Sequence, residues 1–227
     1  MRALMEFRKT DVVRHLGLLD LQRTMQRALR RSGLPLKYSS GFNPHIVMSF
    51  ASALSSGIPG DAELLDVSLS GDTTQEACLA AMQRVLPPSL PVTRVRLVPD
   101  GFPKVGAALR QAEYLMTLRG GEAQRLAQAV EGFLAREEIM ALRKSKRGEA
   151  MVNIRPMLHE LTVLPAERED EVRLRTRVSF VEQATLKPEL LLSSLAEFAG
   201  AALPPHDIRR TQLLGERDGV PTPLFDL

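Results

Sequence analysis

The stretch Arg2–Gly33, RALMEFRKTDVVRHLGLLDLQRTMQRALRRSG, decides the fold. Its opening places Ala3, Met5 and Phe7 on one side of an extended chain and Arg2, Glu6 and Arg8 on the other, with Leu4 the exception. Alternation of period two predicts a strand. From His15 the period changes. Leu18, Leu21, Met25, Ala28 and Leu29 recur at helical spacing, and Gly33 followed by Pro35 stops the helix.

Working outward, IVMSF (46–50) and ELLDVSL (63–69) predict two further strands, joined by a Gly- and Ser-rich connection. TTQEACLAAMQRVLP (73–87) predicts a second helix with Asp72, Thr73 or Thr74 as its N-cap, and VTRVRLV (92–98) a fourth strand. The order is β-α-β-β-α-β. Pro99, Gly101, Pro103 and Gly106 then mark a linker.

The same order follows a second time. AEYLMTL (112–118) predicts a strand and EAQRLAQAVEGFLAREEI (122–139) a helix. MLHELTVLPA (157–166) and EVRLRTRVSF (171–180) predict a hairpin, KPELLLSSLAEFAG (187–200) a helix with Pro188 in its first turn, and HDIRRTQLL (206–214) a last strand. We therefore expect an α+β protein of two tandem ferredoxin-like (βαββαβ) domains, residues 1–100 and 112–227, with residues 101–111 as linker. Each would be an antiparallel sheet with its helices on one face and the other face open.

The 227 residues are 44% hydrophobic and 25% charged, an ordinary balance for a globular protein. Tryptophan is absent and aromatic residues amount to 4%, so the core must rest on Leu, Val, Ala and Met. No apolar run approaches the roughly 20 residues that cross a bilayer, and no membrane contact is expected. The single cysteine, Cys78, rules out an internal disulfide and suits a reducing cytoplasm. It also rules out a cysteine-held iron–sulfur cluster. His15, His45, His159 and His206 lack the spacing of a zinc site, and no phosphate-loop or dinucleotide motif is present. We expect no cofactor in this chain.

The net charge is only +3, but the basic residues are grouped. Arg23, Arg27, Arg30 and Arg31 share the side of the first helix opposite its apolar stripe. Arg173, Arg175 and Arg177 alternate with Val172, Leu174, Thr176 and Val178, so they project from one face of a strand. They either meet acids on a neighbouring strand or await an anionic partner. Arg143, Lys144, Lys146, Arg147 and Arg155 fall in a Gly-containing connection, and Arg209 with Arg210 forms a smaller group. The acids gather elsewhere, in GDAELLD (60–66) and EREDE (167–171). Such segregation points to phosphate or nucleic-acid contact.

Between the first helix and the next strand lies KYSSGFNPH, Lys37–His45. Gly41 and Pro44 set its path and Phe42 is placed to pin it to the core. Lys37, Tyr38, Ser39, Ser40 and Asn43 offer donors beside the arginine face. His45, with Tyr38 or Lys37, also contains the parts of a metal-independent ribonuclease, a general acid and a general base.

These blocks resemble a bacterial radical-SAM-associated family of unknown function. Its first pattern matches Asp20, Arg27, Ala28, Arg30, Arg31, Gly33, Leu34, Pro35, Tyr38, Ser39, Gly41, Phe42, Asn43 and Pro44. Its second matches Lys146, Arg147, Asn153, Ile154, Arg155 and Pro156. Leu18 stands where the family has histidine, and Asn153 where it has aspartate. The resemblance implies an accessory module fused to, or partnered with, a radical SAM protein carrying a cobalamin-binding-like domain. The radical chemistry would belong to that companion. The tandem architecture also looks like that of CRISPR repeat-RNA endonucleases, an analogy of fold that does not transfer function.

Three functions are open at this point. The first is a binding module holding RNA, a tRNA or rRNA, or another phosphate-bearing substrate for the companion. Its contacts would be Arg23, Arg27, Arg30, Arg31, Lys37, Tyr38, Ser39, Gly41, Phe42, Asn43, Lys144, Lys146, Arg147, Arg155, Arg173, Arg175 and Arg177. The second is the His45 ribonuclease. The third is a module whose basic faces dock on an acidic protein surface without nucleic acid.

Overall fold

The computed structural model describes residues 1–145, 148–181 and 184–227. Its internal contacts divide the chain into two units, Met1–Leu109 with Gln212–Leu227, and Arg110–Thr211.

In the first unit the elements are β1 (Arg2–Lys9), α1 (Leu18–Ser32), β2 (Met48–Phe50), β3 (Gly60–Ser68), α2 (Gln75–Val85), β4 (Val92–Val98) and the short α3 (Val105–Ala108). The strands run β4-β1-β3 with β2 on the far edge of β3, and every pairing is antiparallel. Val67 of β3 lies between Ala3 of β1 and Met48 of β2, which fixes the register.

Ala3, Met5 and Phe7 form a core with Leu21, Met25, Ala28 and Leu29 of α1 and Cys78 and Met82 of α2. This is the alternating face of β1 meeting the helical stripe of α1. Burial pushes the Cys78 thiol pKa up, as expected of a small packed hydrophobe. Gly33 ends α1 with φ +78, a left-handed conformation that glycine adopts without strain. Thr74 caps α2 by accepting the Ala77 N–H at 3.1 Å.

The second face of this sheet is not open, contrary to expectation. Arg2, Leu4 and Glu6 are all buried. Arg2 pairs with Asp66 at 3.3 Å and donates to the Pro103 carbonyl. Glu6 accepts from Thr93 and from Arg94 Nε, both at 2.9 Å. The Arg94 guanidinium also lies 4.2 Å from the Phe225 ring centroid and pairs with Asp226. The C-terminal residues thus cover the charged face of β1 and β4. Nothing local in their composition announces this.

The second unit contains β5 (Gln111–Arg119), α4 (Gly121–Leu134), β6 (Met140–Ser145), β7 (Gly148–Asn153), β8 (Leu158–Leu164), β9 (Glu171–Ser179) and α5 (Pro188–Phe198). Strand β10 (His206–Arg217) follows; its residues to Thr211 belong here, and those from Gln212 return to the first unit, where they pair with β11 (Val220–Pro223). β10 flanks β5, and β5, β9 and β8 follow in antiparallel order. Leu126, Val130 and Phe133 of α4 and Leu191, Leu192 and Leu195 of α5 are buried, as are Val172, Leu174 and Val178 of β9. The basic connection expected between helix and strand is a β-hairpin, β6–β7, with six paired positions.

The chain is therefore a mixed α+β protein of antiparallel sheet with helices packed on it. Among the described residues no helix is long and apolar enough to cross a membrane.

Candidate functional site

The outward side of α1 is strongly cationic. Arg23, Arg27, Arg30 and Arg31 are exposed or half-exposed along it. Arg23 pairs with Asp20 one turn earlier, at 3.3 Å. Arg27 Nε donates to the Arg23 carbonyl, and Arg31 Nη2 donates to the Val85 carbonyl at the end of α2. Among the described residues Arg27, Arg30 and Arg31 have no carboxylate partner. Arg30 and Arg31 lie in the last turn, where positive charge also meets the negative end of the helix dipole favourably.

The loop after α1 is a closed structure. Its stem is tied to β3, where Leu36 bridges Leu69 and the Lys37 N–H donates to the Ser68 carbonyl. Tyr38 bridges Ile46, and the Ser39 N–H donates to the His45 carbonyl at 2.8 Å. Ser39 Oγ accepts the His45 N–H at 3.1 Å and lies 2.9 Å from His45 Nδ1. Gly41 has φ +124, a conformation no residue with a side chain adopts easily. The tip is thus turned sharply and clipped at its base.

Phe42 does not pin this loop to the core. It is completely exposed, at 107% of the reference value, while Ile46 at the base is buried. The apolar anchor is Ile46, and the phenylalanine is displayed. Tyr38 is half exposed, and Lys37, Asn43 and His45 are exposed around it.

The arginines of β9 are placed differently. They do share one face, as the alternation requires. The register sets Arg177 opposite Glu160 of β8 and Arg175 opposite Thr162. Arg175 donates to Glu160 at 2.8 Å, Arg177 lies 3.8 Å from the other oxygen of that carboxylate, and Arg173 pairs with Glu167. Of the two possibilities for this strand, pairing with neighbouring acids is the one present. His159, on the same strand as Glu160, contacts Ser179 at 2.9 Å. Partial desolvation of this otherwise exposed ring, and secondarily the Arg177 charge, hold its pKa below the usual imidazole value.

The third basic group is largely structural. Lys144 pairs with Glu149 across the hairpin at 3.0 Å. Arg143 donates to the Thr185 carbonyl. Arg155 donates to the carbonyls of Leu134 and Arg136 at the end of α4 and to that of Leu158, so it closes the helix terminus. Lys146 and Arg147 lie outside the described residues. Arg210 is buried, with its guanidinium 5.6 Å from the Phe180 ring centroid. Asn153 Oδ1 accepts the N–H groups of both Ile139 and Arg155 at 3.1 Å. Only an acceptor is needed there, so an asparagine serves where the resembling family has aspartate.

Among the described residues, α1 and the Lys37–His45 loop are thus accessible cationic candidates whose α1 guanidiniums Arg27, Arg30 and Arg31 lack a carboxylate. The exposure of Phe42 was invisible to sequence reasoning, because a loop has no period from which to read which side chains turn inward.

A mixed α+β protein with a cationic helix and a displayed loop is the class that fold and surface define. The chain belongs to a family of uncharacterized proteins conserved in bacteria, DUF2344, whose pattern matches residues 2–188. No curated protein matches it in sequence. Among solved structures it resembles a chain in the crystal structure of a Cbf5–Nop10–Gar1 complex, with a TM-score of 0.50 and 12% identity over 93% of this chain and 48% of that one. The chain spans about half of that neighbour, and the likeness is one of fold.

Proposed function

We propose that this protein is a binding module for RNA, or another phosphate-bearing substrate, that acts beside a radical SAM companion in the cytoplasm. In this reading each unit is a ferredoxin-like βαββαβ domain, the second carrying the β6–β7 hairpin as an insertion. The strand orders β4-β1-β3-β2 and β10-β5-β9-β8 support that description.

One observation carries the functional reading. Among the described residues Arg27, Arg30 and Arg31 on α1 have no carboxylate partner, whereas on β9 Arg175 and Arg177 share Glu160 and Arg173 pairs with Glu167. Unpaired surface cations in a row favour a polyanion, because binding releases its condensed counterions. Lys37 extends the same charge into the loop. It follows Ser32 by a path of at most about 18 Å.

Fluorescence anisotropy with labelled tRNA and rRNA fragments, across a salt series, tests the proposal. Roughly three to five phosphate contacts should give a log–log salt slope of roughly −2 to −4. The Arg27→Glu, Arg30→Glu variant should bind at least about tenfold more weakly. Absence of binding at about 50 mM salt sinks the idea.

A second reading, ribonuclease chemistry at His45 with Tyr38 or Lys37, draws on the Ser39 contact that orients the imidazole. It fails if His45→Ala cleaves RNA at the wild-type rate. Docking on an acidic protein surface without nucleic acid gains little support from β9, where Arg175 and Arg177 share Glu160 and Arg173 pairs with Glu167.

A further inference from the structure

We infer that Phe42 is a stacking platform for an unpaired base, which makes single-stranded or looped RNA, rather than duplex, the substrate class of the α1–loop surface; this rests on the RNA-binding reading above.

A solitary exposed phenylalanine is common and means little by itself. The setting of Phe42 is what matters. It is fully exposed, yet its loop is held by the Tyr38–Ile46 bridge, by two contacts of Ser39 with His45, and by the left-handed turn at Gly41. An aromatic ring on a mobile loop would lose entropy on binding. One on a clipped loop is already ordered, so contact with a partner is less opposed.

The surroundings select the partner's chemistry. Tyr38 is half exposed, and Lys37, Asn43 and His45 are exposed on the same loop. The helix leading into it carries Arg27, Arg30 and Arg31, which have no carboxylate partner among the described residues. An aromatic ring on the loop that follows a cationic helix supplies the two parts by which proteins hold single strands: a face on which bases stack and cations for the phosphates. Duplex RNA offers no free base face to a ring presented at a loop tip. The sheets provide no tyrosine as a substitute platform: of the two tyrosines, Tyr114 on β5 is buried.

The chain contains no tryptophan, so in the Phe42→Trp variant all indole emission comes from the loop tip. The full-length variant is titrated at low salt with an oligouridylate, an oligoadenylate, and a blunt RNA duplex, each about 12 nucleotides long, within the site size of a single-strand-binding surface. Stacking predicts quenching by the single strands and not by the duplex.

In parallel, anisotropy compares wild type with Phe42→Ala. We expect a loss of about 10- to 100-fold on single strands, unchanged affinity for duplex, and an unchanged salt slope. The thermal melt should also be unchanged, because Phe42 has no core contact to lose.

Wild-type RNA binding combined with equal single-strand affinity in Phe42→Ala overturns the inference and leaves the binding reading intact. Absence of wild-type RNA binding removes both. A blue shift of the indole emission of Phe42→Trp on phosphatidylserine vesicles, without quenching by any RNA, assigns the tip to a lipid surface and also overturns it.

Discussion

Ser39 Oγ accepts the backbone N–H of His45 and lies 2.9 Å from the ring Nδ1 of the same residue, so one hydroxyl orders both the loop and its imidazole. Ser39→Ala should cost about 0.5–1 kcal/mol in urea denaturation, the lower part of the range for a hydrogen bond because the site is exposed. The sharper readout is amide exchange at His45, which should accelerate. Unchanged exchange would show that the backbone bridges alone hold the loop.

Arg94 and Glu6 are joined across β4 and β1, with the Glu6 side chain 8% exposed and the Arg94 side chain 45% exposed. Arg94→Ala leaves a buried carboxylate whose remaining side-chain partner among the described residues is Thr93. We expect a loss of about 2 kcal/mol, below the roughly 3–5 kcal/mol typical of fully buried pairs because solvent reaches Arg94. Glu6→Gln keeps shape and an acceptor and should cost less. The reverse order in denaturant midpoints would refute this account.

Asn153 supplies an acceptor to two backbone N–H groups. Asn153→Ala should destabilise the protein by about 1–2 kcal/mol. Asn153→Asp should stay near wild type above about pH 5, since an ionised carboxylate accepts the same two bonds. Equal losses in the two variants would mean that the side-chain amide N–H₂ is the required group.

His159 contributes a pH dependence whose sign follows from its lowered pKa. In the unfolded chain the ring protonates near about pH 6.5, whereas in the folded protein it stays neutral to lower pH. The unfolded state therefore gains protons first as pH falls. Its contribution is complete above about pH 6.5 and declines below it. His159→Asn should flatten the decline of stability below about pH 6.5 relative to wild type, as read from melting temperatures. Parallel profiles would rule this out.

The elements of both halves were legible because periodicity reports a face. Ala3, Met5 and Phe7 alternate, α1 carries a stripe, and both lie in the core. Gly33 marked the end of α1 and the Asp72–Thr74 group the start of α2, because capping needs specific local chemistry; the structure selects Thr74. The β6–β7 hairpin was missed, since its polar, basic residues lack a continuous buried face and so lack clear alternation.

By itself, then, the sequence determined the α+β class, the single face shared by Arg173, Arg175 and Arg177, and the cationic side of α1, all consequences of local backbone geometry. Only the tertiary structure decided which of those charges are matched. Glu160 meets Arg175 through strand register, Arg155 meets the end of α4 through a chain reversal, and Asp226 reaches Arg94 from 132 residues along the chain. Partners distant along the chain leave no local pattern, and neither does the outward turn of Phe42. That is why the arginine-lined strand, prominent in sequence, is met by Glu160 and Glu167, while the Lys37–His45 loop presents the aromatic ring.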